Sequence, residues 1–288
     1  MRRLTQLITS ILYSFRAVLY SGPTGVRILM YHRVEPIENN DGQYDQLNVP
    51  PEIFSEQMKI LASEYKVVSL ADAIDFLKSG VDEIQKKPTV VITFDDGYAD
   101  NLEHALPILE QYRLPATIFI TTAFCDQTLT HERYKDRESP QHLNWDNVKQ
   151  LAKNPLITIG SHTITHQLLS EIVDKQSRKE IIKSKEIIEK QLETKIKFFC
   201  YPKGNYSSRE LNTLDHSSYR AAVTVKPGSN SIETSMFELK RTEITARDNS
   251  KELHKKLAGA YDLLHRFLDA KRERSFEKSR RRKKAAFR

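Results

Sequence analysis

TVVITFDDGYAD, residues 89–100, runs an apolar strand straight into two adjacent carboxylates. Val90, Val91, Ile92 and Phe94 leave little polar face, the pattern of a strand covered on both sides in a parallel sheet. Gly97 lets the backbone turn sharply behind them. Asp95 and Asp96 are therefore expected at the carboxyl end of a core strand, partly desolvated. Two like charges held that close cost free energy unless a cation or a shared proton relieves them. An isolated Asp-Asp-Gly is ordinarily a surface turn; the apolar run in front of this one argues instead for half of a site.

Working outward, apolar runs of strand length recur at Ile28–Tyr31, Val67–Ser69, Ala116–Ile120, Leu156–Ile159, Lys197–Cys200, Arg220–Val225 and Phe237–Ile244. Helical periodicity falls between most of them: Phe54–Tyr65, Leu70–Lys78, Ala99–Tyr112, Asp146–Lys153, Asp174–Leu192, Ser208–Leu214 and Lys251–Phe267. Alternation of this kind predicts an α/β fold with a parallel sheet, and its length favours a closed or nearly closed barrel. In such a barrel the chemistry sits at the carboxyl ends of the strands.

That rule locates the other half of the site. The run Leu156–Ile159 is followed by GSHTITH, with His162 and His166 four residues apart, a spacing at which two imidazoles can grip one metal ion. Alone, such a pair is usually two exposed histidines; here it occupies the position equivalent to Asp95-Asp96. Two histidines and a carboxylate make an open metal site with room for water and substrate. One aspartate would bind the metal, leaving the other free to act as a base. A third strand end carries FFCYPKGNY, where Tyr201, Pro202 and Gly204 form a rigid turn whose backbone N–H groups can face a developing oxyanion.

Charge and composition bound the alternatives. Of 288 residues 39% are hydrophobic, enough for one substantial core. The net charge of +7 is a property of the end of the chain: Lys271–Arg288 holds ten basic and two acidic residues (+8), leaving 35 basic against 36 acidic elsewhere (−1). That tail has no apolar periodicity and reads as a disordered extension, with attachment to anionic lipid as its functional option. No reading motif accompanies it, so no specific nucleic-acid recognition is expected. Cys125 and Cys200 make no disulfide framework and have no metal-ligand spacing. Leu4, Leu7, Ile8, Ile11, Leu12, Phe15, Val18 and Leu19 mark an amphipathic N-terminal helix, packed either on the domain or on a membrane surface. Arg16 and Tyr20 spoil a secretory signal, and length and charge exclude a membrane span. The expected divisions are 1–25, this helix; 26–270, the enzymatic domain; and 271–288, the tail. A cytoplasmic location follows, with peripheral attachment at the inner face of the membrane as its extension.

TFDDGYAD, SHTITH and YPKGNY, in this order, resemble the three motifs of the polysaccharide deacetylase family, carbohydrate esterase family 4 or NodB-homology domain, over roughly Arg27 to Phe267. The resemblance implies a distorted (β/α)7 barrel and a metal-dependent N-deacetylase, zinc being the first choice of divalent metal. Carried over by residue, Asp95 is the catalytic base and Asp96, His162 and His166 are the metal ligands. The general acid implied is a histidine. LLH at Leu263–His265 falls in a helical pattern, so His32, ending the strand in RILMYHRV, is the better candidate. This places the chain with the circularly permuted members, which include deacetylases of poly-N-acetylglucosamine biosynthesis. The arginine that opens the third motif in many members is absent, Phe198 or Phe199 standing there; Arg241 is expected to supply the guanidinium that braces Asp95. Glu243 and Asp248 are candidate partners for the general acid. The implied substrate is an N-acetylated amino sugar of a glycan, in cell-surface polysaccharide biosynthesis. The polar stretch Thr121–Trp145 would shape its groove, with Trp145 available to stack on a sugar. The rivals are another metallohydrolase on the same scaffold, such as a cyclic amidase or phosphoesterase, and an inactive glycan-binding module.

Overall fold

Each of those apolar runs overlaps a strand in the computed structural model, the overlap being a single residue at Val67, and the structure describes residues 25–37, 46–79, 88–134 and 141–262. The N-terminal helix, the LLH triplet and the basic tail lie outside the described residues. The strands are β1 (Val26–Tyr31), β2 (Lys66–Val67), β3 (Thr89–Phe94), β4 (Ala116–Ile120), β5 (Ile157–Ser161), β6 (Phe198–Cys200), β7 (Ala221–Val223) and β8 (Arg241–Glu243). All the pairings between them are parallel.

The order β7-β6-β5-β4-β3-β1-β8 makes a seven-membered path, with β2 attached to the start of β3. Its ends meet. Leu239, just before β8, bridges Val223 of β7, and Thr224 N–H donates to Leu239 O at 2.8 Å. The ring is thus nearly closed, the distorted (β/α)7 barrel of the sequence reading. The first strand lies between β3 and the last strand, as the permuted reading requires.

Period-two burial explains why the strands read as continuous apolar runs. Leu29, Tyr31, Val90, Ile92 and Phe94 pack with Phe54, Met58 and Leu61 of the helix Pro51–Glu64. Ile28, Val91, Phe119, Phe198 and Val223 point the other way and pack with Leu70, Ile74 and Leu77 of the helix Leu70–Ser79. Both faces are dry, so both carry apolar side chains.

Two helices depart from expectation. The segment after the Asp pair begins as a π-helical turn, Asn101–Ala105, before the α-helix Leu106–Tyr112. Pro107 has no N–H to continue an α-helical ladder there. The helix expected to reach Phe267 ends at Leu257, and Gly259 follows with φ +75°. Among the described residues no helix is long and apolar enough to cross a membrane.

Candidate active site

Parallel register brings the predicted residues to one rim. Tyr31 pairs with Phe94, and Asp95 N–H donates to Tyr31 O at 3.0 Å, so His32 and Asp95 leave neighbouring strands together. Ile120 pairs with Ser161, and His162 N–H donates to Ile120 O at 2.8 Å, which sets His162 at the same level. Cys200 pairs with Val223, placing Tyr201 there as well.

Asp95 is gripped by Arg241. Nη1 and Nη2 each donate to a separate carboxylate oxygen at 2.6 Å. The guanidinium is itself held by Thr224 O, Thr93 Oγ1 and Cys200 Sγ. Burial alone would raise the Asp95 pKa, but the guanidinium overrides it and holds the carboxyl below its usual value. Arg241 therefore stands where the sequence placed it. The β6 residue that touches Asp95 is Cys200, its Sγ 3.5 Å from Oδ2, rather than Phe198 or Phe199. A small side chain there leaves room for the arginine from β8.

Asp96 faces the histidines. Its Oδ1 lies 3.4 Å from His162 Nε2 and 3.3 Å from His166 Nε2. His162 Nδ1 is 2.8 Å from Cys200 O, so it donates there and leaves Nε2 turned toward Asp96, and these neighbours outweigh burial and hold the His162 pKa above its usual value. Burial drives the His166 pKa down to about 3. Asp96 itself is held well below the usual carboxylate range, its burial outweighed by the two neighbouring rings. Oδ1 is buried and accepts no hydrogen bond among the described residues. A buried carboxylate oxygen without a donor, set 3.3–3.4 Å from two imidazole nitrogens, is an arrangement that a cation between them would satisfy. The three ligand atoms lie within 4.8 Å of one another, so the residues fit a metal ion. Asp95, His162 and Cys200 also meet that spacing, but burial raises the Cys200 thiol pKa and keeps it protonated, and His162 Nδ1 is already engaged.

Asn101 Nδ2 donates to His32 O at 2.9 Å, fixing the backbone of that residue, while His32 Nδ1 is buried with no hydrogen-bond partner among the described residues. Neither acidic candidate serves it. Asp248 accepts from Lys256 Nζ and the Thr245 N–H and hydroxyl, and Glu243 is exposed.

The YPKGNY turn is rigid, with Lys203 at φ 53° and Gly204 at φ 64°; a Cβ on Gly204 would stand 2.4 Å from Val225 Cγ2. Tyr201 N–H, however, already donates to Val223 O at 3.3 Å, a long bond within the strand pair. Pro202 has no N–H and Gly204 N–H donates to Tyr201 O. The Trp145 ring packs partly on the core, with its indole N–H donating to Asp126 Oδ1 at 2.5 Å.

Besides Lys203, three non-glycine residues at the site have left-handed backbone: Asp96 (φ 70°), Thr163 (φ 72°) and His166 (φ 58°). Such strain persists only where surroundings impose it. Glu180, from the helix Asp174–Leu192, accepts from Ile164 N–H, Thr165 N–H and Thr165 Oγ1, pinning the turn between the two histidines. Sequence reasoning missed Glu180. The signal was an acid inside the buried stripe Ser177, Ile181, Ser184 and Ile188.

The polysaccharide deacetylase family model matches residues 82–222. YxkH of Bacillus subtilis (strain 168), assigned by its name to the polysaccharide deacetylases, is 30% identical over 227 residues, covering 77% of this chain and 72% of that protein. A poly-β-1,6-N-acetyl-D-glucosamine N-deacetylase of Staphylococcus aureus (strain N315) is 26% identical over 206 residues, 65% of this chain and 67% of that one. Among solved structures, the Streptococcus pyogenes deacetylase PplD in complex with acetate shares the fold, with a TM-score of 0.72 at 24% identity, over 82% of this chain and 99% of that one. The chain belongs to the polysaccharide deacetylase family, hydrolases that act on carbon–nitrogen amide bonds.

Proposed function

We propose that this protein removes acetyl groups from N-acetylated amino sugars of a surface polysaccharide, and that poly-β-1,6-linked N-acetylglucosamine is the first substrate to try. The observation that carries the site reading is the buried, unpartnered Asp96 Oδ1 facing two imidazole nitrogens beside the arginine-braced Asp95. The named relative of Staphylococcus aureus supports the choice of sugar.

Asp96, His162 and His166 would hold a divalent cation, zinc by preference, which would supply Lewis-acid chemistry at the acetyl group. Asp95, ionised and aimed by Arg241, takes the proton from the attacking water. His32, on the neighbouring strand end, gives a proton to the departing nitrogen as the amide C–N bond breaks; acetate and a free amine leave. The Tyr201 N–H can serve the oxyanion only by giving up its long bond to Val223 O, so its role is the weakest of those expected. Trp145, its indole N–H engaged by Asp126, would offer only a ring face to a sugar.

The test is metal analysis together with acetate release from a panel of N-acetylated glycans. One divalent ion per chain and acetate from the β-1,6-linked polymer are expected. Absence of acetate release across the panel, with hydrolysis of a cyclic amide or phosphoester instead, would move the protein to the rival class. The enzymatic unit is proposed to span 26–270, and the basic tail 271–288 to hold the protein peripherally at an anionic cytoplasmic membrane face. Deleting the tail should weaken binding to anionic vesicles in a salt-dependent way. Equal binding with and without it would remove the membrane reading.

A further inference from the structure

We propose that His142 is a positioning residue for the cation-binding carboxylate, tying Asp96 to the loop that carries His131. The proposal rests on the reading of Asp96, His162 and His166 as a metal site. His142 is buried and belongs to the segment that precedes the helix Trp145–Ala152. That segment is laced to the turn after the Asp pair: Leu143 N–H donates to Gly97 O at 2.9 Å and Ala99 N–H to Gln141 O at 3.1 Å.

The imidazole lies sandwiched between two rings. Its centroid is 4.7 Å from that of Tyr98 and 4.2 Å from that of Phe124, each at an interplanar angle of 25°. Both ring nitrogens then find backbone partners of opposite kind. Nδ1 is 3.2 Å from Asp96 O, and Nε2 is 3.2 Å from His131 N. A carbonyl only accepts and an amide N–H only donates, so one tautomer satisfies both: hydrogen on Nδ1, lone pair on Nε2.

Asp96 is thereby held at two points by one stacked pair. His142 takes its carbonyl, and the Tyr98 hydroxyl donates to its Oδ2 at 3.1 Å. The left-handed backbone of Asp96 (φ 70°) needs such a restraint, because an untethered aspartate would relax and swing Oδ1 away from the two imidazoles. The same ring carries the restraint on to His131, whose own ring centroid is 5.1 Å from that of His166. One imidazole thus links a metal-binding carboxylate to a loop at the rim of the site.

His142→Phe preserves the ring stack and removes both hydrogen bonds. His142→Asn places an amide N–H near the position of Nδ1 and restores only the bond to Asp96. Zinc affinity is measured by chelator competition on the full-length protein, with thermal unfolding of the metal-free form alongside. His142→Phe should weaken zinc binding by about ten- to a hundredfold, the usual cost of losing an outer partner of a metal ligand, with its metal-free midpoint close to wild type. His142→Asn should recover most of that affinity. Zinc binding by His142→Phe as tight as wild type would overturn the proposal. So would an equal loss in both variants that follows a fall in the metal-free midpoint, which marks a purely structural ring. A wild-type protein that takes up no zinc would instead defeat the metal-site reading on which this rests.

Discussion

Arg241 meets Asp95 head on, two donors to two oxygens at 2.6 Å, with both side chains buried. Oδ1 keeps a further lone pair, so the fork orients the proposed base while leaving one oxygen able to accept a proton. Lysine would supply the charge without the plane. Arg241→Lys is expected to keep the fold and bound metal while kcat falls about a hundredfold, the scale set by an ångström of misplacement. Arg241→Ala strands a buried charge and should cost about 3–5 kcal/mol of stability. Steady-state kinetics and thermal unfolding read the two effects separately; an unchanged kcat in Arg241→Lys would show that orientation of Asp95 is unimportant.

His162 is expected to be indispensable for metal. His162→Ala removes a ligand nitrogen along with the donor to Cys200 O, and should abolish stoichiometric metal while the barrel remains folded. Metal content by elemental analysis decides it. Undiminished metal in this variant would remove His162 from the site.

His32 and His265 can be told apart. Loss of a positioned acid costs about 10²–10⁴ in rate, so His32→Ala should collapse kcat and retain metal. His265, outside the described residues, follows a helical pattern in sequence, and its replacement by Ala should stay within about 0.5 kcal/mol in stability with activity unchanged. The opposite pattern would defeat both the permuted reading and the role given to His32.

How much of this was legible beforehand depended on what kind of partner each residue has. Thr89–Phe94, Ala116–Ile120 and Asp174–Leu192 occur with the expected bounds, because burial on one face or two writes itself directly into periodicity. Asp95, Asp96, His162 and His166 were readable because each follows a strand end, and parallel register does the rest. Cys200 was misjudged in favour of its phenylalanine neighbours: in a strand as short as Phe198–Cys200, alternation alone does not say which side chain turns toward Asp95. Glu180 showed itself only as an acid within a buried stripe, and His142 acts on backbone atoms, which carry no residue-type signal that could have announced it.

Glu210 offers a test in solution pH, away from the metal. Its buried carboxylate accepts from Ser177 Oγ, Ser207 N–H, Ser207 Oγ and Arg209 Nε. Burial would raise its pKa, yet these donors hold it below the usual 4.5. A carboxyl depressed in the folded state adds stability above its unfolded pKa and loses it as pH falls through the folded value. Glu210→Gln should therefore lower stability by about 1.5–3 kcal/mol near neutrality, with the gap to wild type closing below about pH 4.5. Denaturant midpoints across pH read this directly; a gap that stays constant into acid would mean the charge on Glu210 contributes nothing.

The partner that neutralises Asp95 arrives late. Arg241 follows it by 146 residues, an interval of roughly 7–30 s at ordinary rates of elongation. Until β8 leaves the ribosome, a nascent chain has its central apolar strands and its adjacent acids but neither the buried guanidinium nor the last edge of the barrel. Shielding Asp95 from water before that moment would be costly, so closure of the ring and completion of the Asp95–Arg241 ion pair are one event.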